Sequence, residues 1–275
     1  MKIGFIDYYL DEWHANNYPK FIHDASNGEM EVTLAFGLID SPITDRRTTD
    51  EWCRDMGIPK ADSIEQVCAE CDAIIVLSPD NCEMHEQLCQ LPLRTGKPVY
   101  VDKTFAPDYS TAKRIFDIAE ASGTPCYSSS ALRFADEYRG LSEVESLASW
   151  GPNAFETYSI HQLEPIMMLI KSKPVKVCYI PGRDSYTLEI VFEDGRTASL
   201  HGVEAGGEFM MNVVKDFKQS VITVCSDYFH NFIVSMVDFF RTAKPVVPHS
   251  ETLNIMAVRG AGIEAIKRPC EWISL

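Results

Sequence analysis

Two side chains that could move protons are Lys103 and His161. Lys103 lies just beyond the apolar run 99–101, which is typical of a buried strand, so the lysine sits at a strand end. A lysine there can hydrogen-bond a substrate hydroxyl, although a lone lysine at a strand end is usually just solvated. His161 carries an imidazole that titrates near neutral pH. Its neighbours Ile160 and Leu163 are also compatible with a core histidine whose hydrogen bonds are satisfied.

The 9 cysteines and 7 histidines offer a second kind of chemistry. An odd number of cysteines without regular spacing is not a disulfide framework and suits a reducing compartment. Cys68 and Cys71 could form a redox pair, but Cys71 leads straight into an apolar strand, so buried or half-buried free thiols are favoured. A metal hydrolase would use His14, His23 or His85, and these lack the short spacing of a zinc site. We therefore predict no metal.

Strands must position these residues in the first half of the chain, where short apolar runs alternate with helical segments. The predicted strands cover residues 3–6, 32–39, 73–77, 99–101 and 125–127. Helices are predicted over 81–91 and from Asp108 to the stop at Gly123, because apolar residues recur there at helical spacing. Continuous apolar strands separated by helices predict a parallel sheet that is buried on both faces.

The second half has the pattern of an antiparallel sheet. Apolar side chains alternate along 188–192, and Asp194-Gly195 is a strong hairpin signal. A returning strand over 196–201 and further strands over 208–215 and 219–225 predict an antiparallel meander. Two helices close the chain, the first with an apolar stripe over 229–240 and the second running from a cap at Ser250 to near Arg268.

Length and charge limit the possible functions. A chain of 275 residues is long enough for two domains. Its net charge of −15, with 40 acidic against 25 basic residues, argues against a nucleic-acid-binding surface. The N-terminal MKIGFID is too short and too soon acidic for a signal peptide, and no apolar run approaches the ~20 residues that span a membrane. We expect a cytoplasmic protein without a membrane partner.

Two motifs together resemble one known family. The first is Ser78-Pro79 after a strand, then His85, then Gly-Lys-Pro-Val-Tyr-Val ending in residues 102–104, Asp-Lys-Thr. This order resembles the Gfo/Idh/MocA family (glucose–fructose oxidoreductase, inositol dehydrogenase, rhizopine catabolism), which carries Glu-Lys-Pro on this strand. The second motif, residues 151–163, resembles the family's Gly-rich turn followed by a helix with an acid and a histidine four residues apart. The resemblance spans nearly the whole chain.

The fold class is therefore α/β in two parts. Residues 1–128 are predicted to form a Rossmann-like dinucleotide-binding domain with a parallel sheet. Residues 129–275 are predicted to form an α+β substrate and oligomerisation domain with a mainly antiparallel open sheet, and the hinge falls near residues 128–130.

The resemblance also implies a cofactor, a substrate and site residues. The family binds a nicotinamide dinucleotide and oxidises or reduces a sugar-type alcohol carbon at the domain interface, so NAD or NADP and a small sugar-like substrate are implied. Lys103 would orient the reacting hydroxyl and His161 would exchange its proton. The residues assigned to the cofactor are Asp7, Tyr8, Asp40, Ser78, Pro79, His85 and Asp102. Asp40 could bind a ribose diol, or the segment 40–42 is simply a turn.

Three positions depart from the family pattern. The loop 7–13, DYYLDEW, has no glycine where the family has G-x-G-x-x-G, whose glycines let the backbone approach the phosphates. We expect Asp11 to cap the following helix, and Asp11 and Glu12 to place negative charge where phosphate belongs. Thr157 stands where the acid before His161 is expected, and Thr104 replaces the proline. Weak or atypical cofactor binding follows.

Two functions remain in competition. The favoured one is an NAD(P)-dependent oxidoreductase that acts on the CH-OH group of a sugar-like or polyol substrate by hydride transfer at the domain interface. The alternative is a non-catalytic family relative that has lost cofactor binding and serves as a ligand-binding or regulatory module. We also expect a homodimer or higher homo-oligomer, because the second domain's open sheet would need cover for its apolar residues. These are Val213, Val214, Phe217, Val221 and Val224.

Overall fold

The computed structural model describes all residues, 1–275. They form two compact units. The first consists of Met1–Ser129 and Phe232–His249, and the second of Ser130–Asn231 and Ser250–Leu275. No helix in the structure has the length and apolar character needed to cross a lipid bilayer.

A parallel five-stranded sheet is the centre of the first unit. Its strands are β1 (Lys2–Asp7), β2 (Glu31–Gly37), β3 (Ala73–Val76), β4 (Val99–Val101) and β5 (Cys126–Tyr127). They are arranged in the order β2-β1-β3-β4-β5. Every side chain of β3 and β4 is fully buried, as expected for strands covered on both faces. The parallel sheet predicted from the sequence is confirmed.

Five helices follow the strands of the first unit. They are α1 (Trp13–Ala25), α2 (Thr49–Met56), α3 (Ile64–Glu70), α4 (His85–Leu88) and α5 (Tyr109–Ser122). The predicted signals of α5 are confirmed: the Asp108 carboxylate accepts the Thr111 N–H at 2.8 Å. Gly123 ends the helix with φ +62°, a left-handed conformation that glycine adopts without a Cβ clash.

The predicted helix over 81–91 is wrong in its length. The structure has a 3₁₀ turn at Cys82–Met84, the single helical turn α4, and another 3₁₀ turn at Pro92–Arg94. Pro92 has no N–H to donate to a carbonyl four residues earlier, so a regular α-helix cannot continue through it. The apolar spacing of this segment reflects successive short turns that bury Leu88 and Leu93.

The second unit contains a seven-stranded sheet. Its strands are β6 (Ser146–Pro152), β7 (Pro174–Pro181), β8 (Ser185–Phe192), β9 (Thr197–Val203), β10 (Met210–Lys215), β11 (Lys218–Ile222) and β12 (Trp272–Ser274). The order is β11-β10-β6-β9-β8-β7-β12. The predicted hairpin is present between β8 and β9, which pair antiparallel, and Gly195 in its turn has φ +85°.

The predicted meander is wrong in one respect. Strands β9 and β10 are not neighbours, because β6 lies between them, parallel to β9 and antiparallel to β10. Apart from Trp150, the sequence of β6, SLASWGP, lacks the β-branched and aromatic side chains that mark strands, so this strand is hard to recognise. The sheet is therefore mixed, although most of its pairs are antiparallel.

Three helices complete the chain. Helix α6 (Phe155–Ile170) packs on β6 and β9, and most of its residues beyond the first turn are buried. Helix α7 (Tyr228–Thr242) carries the predicted apolar stripe, whose residues from Phe232 onward are buried within the first unit. Helix α8 (His249–Lys267) belongs to the second unit from Ser250 onward.

Candidate functional site

The carboxyl ends of the parallel strands gather several predicted site residues. Because the strands run in one direction, the residues that follow them share one edge of the sheet. Asp7 is the last residue of β1, Ser78 follows β3 by two residues, and Asp102 and Lys103 come directly after β4. Open α/β sheets bind their ligands at this edge.

Asp102 is fully buried and has three hydrogen-bonding neighbours. One carboxylate oxygen accepts the Lys103 backbone N–H at 2.9 Å and the Tyr100 hydroxyl at 3.3 Å. The other oxygen contacts Nδ1 of His14. Burial by itself would raise the pKa of Asp102, but the attraction and hydrogen bond of His14, with the charge of Lys103, hold it below the ordinary value. The carboxylate therefore stays ionised.

His14 was not among the predicted site residues, yet its ring contacts Asp102 at this edge. Its ring stacks on Tyr18 one helical turn later, with centroids 4.9 Å apart and planes 13° apart. The Tyr18 hydroxyl lies 3.2 Å from His14 Nδ1, the same nitrogen that contacts Asp102. The side chain of His14 is 13% exposed, whereas that of Asp102 is completely enclosed.

Glu12 caps α1, so the expectation that Asp11 would do so is wrong. The Glu12 carboxylate accepts the backbone N–H of His14 at 2.6 Å and that of Ala15. Its side chain satisfies the donors that a helix N-terminus otherwise offers to an anion. Burial, with the negative charge of Asp102, raises the pKa of Glu12 to about 7, even though His14 acts in the opposite direction.

Asp7 adds a third buried carboxyl group. Burial raises the pKa of Asp7 well above its ordinary value, and the charges of Glu12 and Asp102 act in the same direction. The backbone N–H groups of Tyr8 and Tyr9 donate to it, but its Oδ2 atom has no hydrogen-bond partner. A neutral, protonated Asp7 is the state that such surroundings favour.

Asp11 points into a different network. It accepts a hydrogen bond from the Arg47 guanidinium at 2.6 Å, one from the Arg47 backbone N–H at 2.9 Å, and one from Asn16 at 3.1 Å. Burial opposes ionisation of Asp11, but these hydrogen bonds and the charge of Arg47 lower its pKa to about 2. Arg47 is thereby occupied, so it is a poor candidate for binding a 2′-phosphate.

The other residues assigned to the cofactor have mostly local partners. The exposed Asp40 accepts the Thr49 N–H at 2.7 Å, at the start of α2. Ser78 has φ +86° and donates to the Asn81 carbonyl at 3.0 Å. Pro79 and Tyr8 are half-buried, and the Tyr8 carbonyl accepts the Ile39 N–H at 2.9 Å.

His85 has a structural environment. It is fully buried, and its ring nitrogens lie 2.9 Å from the Phe105 carbonyl and 2.6 Å from the Leu77 carbonyl. Burial lowers the pKa of His85. The imidazole thus ties the end of β3 to the segment after β4, and neither ring nitrogen is left for a ligand.

Lys103 differs from its neighbours because its charge has no direct partner. The side chain is half-buried, and its ammonium makes no hydrogen bond or ion pair in the structure. The nearby Asp102 interacts with it only through space. A lysine without an internal partner at this edge of the sheet is available to a ligand.

His161 lies in the second unit, on α6. Its Nδ1 atom is 2.6 Å from the Ser130 hydroxyl, and its ring meets Tyr158 edge-on with centroids 5.1 Å apart. Glu156 and Thr157 are exposed in the first turn of α6, and the Thr157 hydroxyl donates to the Ala154 carbonyl at 3.4 Å. Ser130, which the sequence did not single out, is therefore a hydrogen-bonding neighbour of His161, whereas Glu156 and Thr157 are not.

A buried ion cluster lies next to His161. Arg133 is in the 3₁₀ turn Ala131–Phe134 and contacts Glu164 of α6 at 2.7 Å and Glu251 of α8 at 2.6 Å. Burial would lower the pKa of Arg133, but the two carboxylates raise it, so the guanidinium stays charged. This cluster joins three segments of the second unit.

Comparison with protein families identifies the first unit. Residues 23–129 match the GFO_IDH_MocA family, described as an oxidoreductase family with an NAD-binding Rossmann fold. The match begins inside α1 and includes Lys103, whereas the glycine-free loop 7–13 lies outside it. No curated protein sequence matches the chain.

Solved structures with the same fold cover nearly the whole chain. Myo-inositol dehydrogenase from Lactobacillus casei, in complex with NAD(H) and myo-inositol, has a TM-score of 0.80 at 12% identity and covers 100% of this chain and 96% of its own. Scyllo-inositol dehydrogenase from the same organism, with NAD(H) and scyllo-inositol, has 0.78 at 15%, covering 99% and 98%. UDP-N-acetylglucosamine 3-dehydrogenase from Acidithiobacillus ferrooxidans has 0.76 at 14%, covering 98% and 99%. The resemblance seen in the sequence is thereby confirmed: residues 23–129 match the Gfo/Idh/MocA oxidoreductase family, and the chain shares its fold with these dehydrogenase structures.

Proposed function

We propose that the protein is an NAD(P)-dependent oxidoreductase that acts on the CH-OH group of a sugar-like or polyol substrate. The family description supports oxidoreductase chemistry, and two solved structures of the same fold contain inositols. Lys103 and His161 are the residues proposed to act on the substrate.

The observation that carries this proposal is the unpartnered ammonium of Lys103 within the family-matched segment. Its position after β4 fits a donor of hydrogen bonds to a substrate hydroxyl oxygen. A positive charge beside that oxygen stabilises the alkoxide character that develops as its proton leaves.

His161 is proposed to accept and return the hydroxyl proton at Nε2. Its Nδ1 atom lies 2.6 Å from the Ser130 hydroxyl, and the proton exchange is assigned to Nε2, the other ring nitrogen. An imidazole suits this task because its pKa in water lies near neutral pH.

The dinucleotide that the family description implies would supply the hydride acceptor or donor. The residues at the N-terminus of α1 do not fit its pyrophosphate in the manner of a glycine loop. The Glu12 carboxylate takes the N–H groups of His14 and Ala15, and Asp7 and Asp102 place two more carboxyl groups beside it. We therefore propose weak binding, and we assign no step of the reaction to the cofactor.

The poor fit of these acids to a pyrophosphate favours the second candidate function, a non-catalytic relative that binds a ligand without a dinucleotide. Titration of NADH and NADPH into the protein separates the two candidates. At pH 8, where Glu12 is ionised, we expect weak binding that Glu12→Gln tightens by roughly fivefold to a thousandfold, the range spanned by one repulsion in water or at a protein surface. Glu193→Gln, at an exposed acid, is the control. Tight binding by the unmodified protein would contradict the argument about this loop.

Turnover tests the two proposed residues. With inositols and sugars as substrates, Lys103→Met and His161→Ala should each lower kcat by roughly 10²- to 10⁴-fold while the protein remains folded. Lys113→Met and His230→Ala remove an exposed lysine and an exposed histidine, and they should leave turnover unchanged. Full activity in either Lys103→Met or His161→Ala would refute that residue's role.

We further propose a homodimer that pairs through the sheet of the second unit. At its edge, β11 is exposed on both faces, and Phe217 in the β10–β11 turn is 99% exposed. Val221 and Val224 are also exposed, whereas Val213 points into the core and cannot contribute. Light scattering should show a dimer at micromolar concentration that Phe217→Ser weakens and Val246→Ser, on the first unit, does not. A monomeric unmodified protein would reject the proposal.

A further inference from the structure

Ser130 occupies a special position relative to His161. Its side chain is completely buried, and its hydroxyl lies 2.6 Å from Nδ1 of the imidazole. The two residues are 31 positions apart in the sequence, so this contact depends on the fold of the second unit. In the family pattern an acid four residues before the histidine is expected, and here that position holds the exposed Thr157.

The surroundings fix Ser130 against α6 by more than this one contact. Its backbone N–H donates to the Glu164 carboxylate, one helical turn after His161. Arg133, three residues after Ser130, pairs with the same carboxylate at 2.7 Å. Residues three apart on a helix lie on the same face, so His161 and Glu164 present adjacent attachment points to the segment 130–133. Ser130 cannot leave His161 without disturbing buried, charged contacts.

We propose that Ser130 is a positioning residue for proton transfer by His161, in place of the acid of the family pattern. The inference rests on the proposed function, in which His161 exchanges the proton of the substrate hydroxyl. Ser130 acts through His161 and is not itself a catalytic residue.

The chemistry of a hydroxyl explains what changes when a serine, and not a carboxylate, lies beside the His161 ring. When the neutral ring carries its proton on Nδ1, it donates to Ser130 Oγ, and the lone pair on Nε2 can take the substrate proton. The imidazolium that results keeps the Nδ1–H donation to Ser130, and it returns the proton from Nε2 in the reverse step. A carboxylate would add a full negative charge that stabilises the imidazolium, whereas a hydroxyl orients the ring without that charge. Ser130 therefore favours release of the proton.

The experiment compares Ser130→Ala, Ser130→Thr and Ser130→Asp with Ser159→Ala. Ser159 is a matched control because it is equally buried, lies on α6, and its hydroxyl has no hydrogen-bond partner. Two quantities are measured: the pH dependence of kcat, and the ¹⁵N NMR signals of the His161 ring, which report the protonated nitrogen without any substrate.

Ser130→Ala should lower kcat by roughly threefold to tenfold, the value of one hydrogen bond, with little change in KM. It should also change the proportion of the two His161 tautomers. Ser130→Thr should restore both quantities, and Ser130→Asp should move the acid limb of the pH profile to higher pH. Ser159→Ala should change neither.

The two measurements separate this inference from the proposed function. Unchanged His161 signals in Ser130→Ala would overturn the role of Ser130, whatever the enzyme does. Altered signals in a protein that turns over no alcohol would overturn the proposed function and leave Ser130 as the residue that orients His161. Lower stability of Ser130→Ala with an unchanged pH profile would show that the hydroxyl serves only the fold.

Discussion

His14 in the first unit and His161 in the second have the same ring nitrogen engaged, but by different partners. Nδ1 of His14 meets the buried Asp102 carboxylate and the Tyr18 hydroxyl, whereas Nδ1 of His161 meets the Ser130 hydroxyl. A carboxylate stabilises a protonated ring, and a hydroxyl orients it without that effect. The first arrangement ties the ring to a buried carboxylate, and the second suits repeated transfer of a proton.

The acids around these histidines differ in the same way. Near His14, Asp7 and Glu12 have no arginine or lysine in direct contact, and burial raises the pKa of each. Near His161, Glu164 and Glu251 share the Arg133 guanidinium, although burial still raises the pKa of Glu164 to about 7. A buried carboxyl group can be tolerated by keeping its proton or by gaining a cation, and this chain uses both solutions.

The largest effect is expected when Arg133, the cation shared by Glu164 and Glu251, is removed. Arg133→Met leaves two buried carboxyl groups without a counter-charge, which should destabilise the protein by about 3–5 kcal/mol. The loss should grow as the pH rises, because the two acids must then ionise without a partner. Urea unfolding measures it, with Arg114→Met as the control, since Arg114 pairs with Glu86 at the surface. A loss below about 1 kcal/mol, the value of a surface pair, would show that the cluster is not the buried ion network described here.

A smaller effect is expected at Glu12, near His14, where the substitution should raise the free energy of unfolding at high pH instead of lowering it. The folded-state pKa of Glu12 is about 7, above its ordinary value of 4.5, so its contribution to stability is fully present below pH 4.5 and is lost as pH rises through 7. Glu12→Gln keeps an oxygen for the helix cap but cannot ionise. It should flatten the decline between these pH values, whose full size is on the order of 3 kcal/mol.

Unfolding by urea at a series of pH values measures this difference. Glu193→Gln, which changes an exposed acid, should follow the unmodified protein throughout. If Glu12→Gln and the unmodified protein had parallel stability curves between pH 4.5 and 8, Glu12 would be an ordinary solvated acid.

The smallest effect concerns the Tyr18 hydroxyl, which contacts the His14 ring. Tyr18→Phe keeps the ring stacked on the imidazole and removes the 3.2 Å contact of the hydroxyl with Nδ1. We expect a loss of about 1 kcal/mol in unfolding free energy, because Asp102 still holds the histidine. Tyr109→Phe, at an exposed tyrosine of α5, should cost nothing. A much larger loss in Tyr18→Phe would mean that His14, like His161, depends on a hydroxyl.

Local sequence signals predicted the regular elements well. Asp108 and Gly123 marked the ends of α5, and Asp194-Gly195 marked the β8–β9 hairpin, because caps and tight turns depend on a few adjacent residues. Strand β6 was missed since its sequence lacks a strand pattern, and its place between β9 and β10 depends on pairing with strands that are distant in the sequence.

The candidate site was harder to predict. Lys103 stood out because it directly follows a buried strand, whereas the contacts of Asp102 with His14 and of Ser130 with His161 join residues 88 and 31 positions apart. Neighbouring residues can also exchange roles: Asp11 and Glu12 are both acids at the start of α1, yet Glu12 is the one that caps the helix. Here Arg47 draws Asp11 away, and Glu12 takes the cap.

The two-segment make-up of the first unit has a consequence for synthesis on the ribosome. Its sheet is complete at Tyr127, yet residues that finish its core arrive only with α7: Phe232 meets Tyr100 at 5.6 Å between ring centroids, and Phe239 meets Tyr127 at 4.8 Å. A nascent chain that has emerged only as far as residue 129 therefore still exposes the aromatic surface that α7 covers in the folded protein. The core of the first unit stays incomplete, and its apolar surface is accessible to chaperones, while about a hundred more residues are translated.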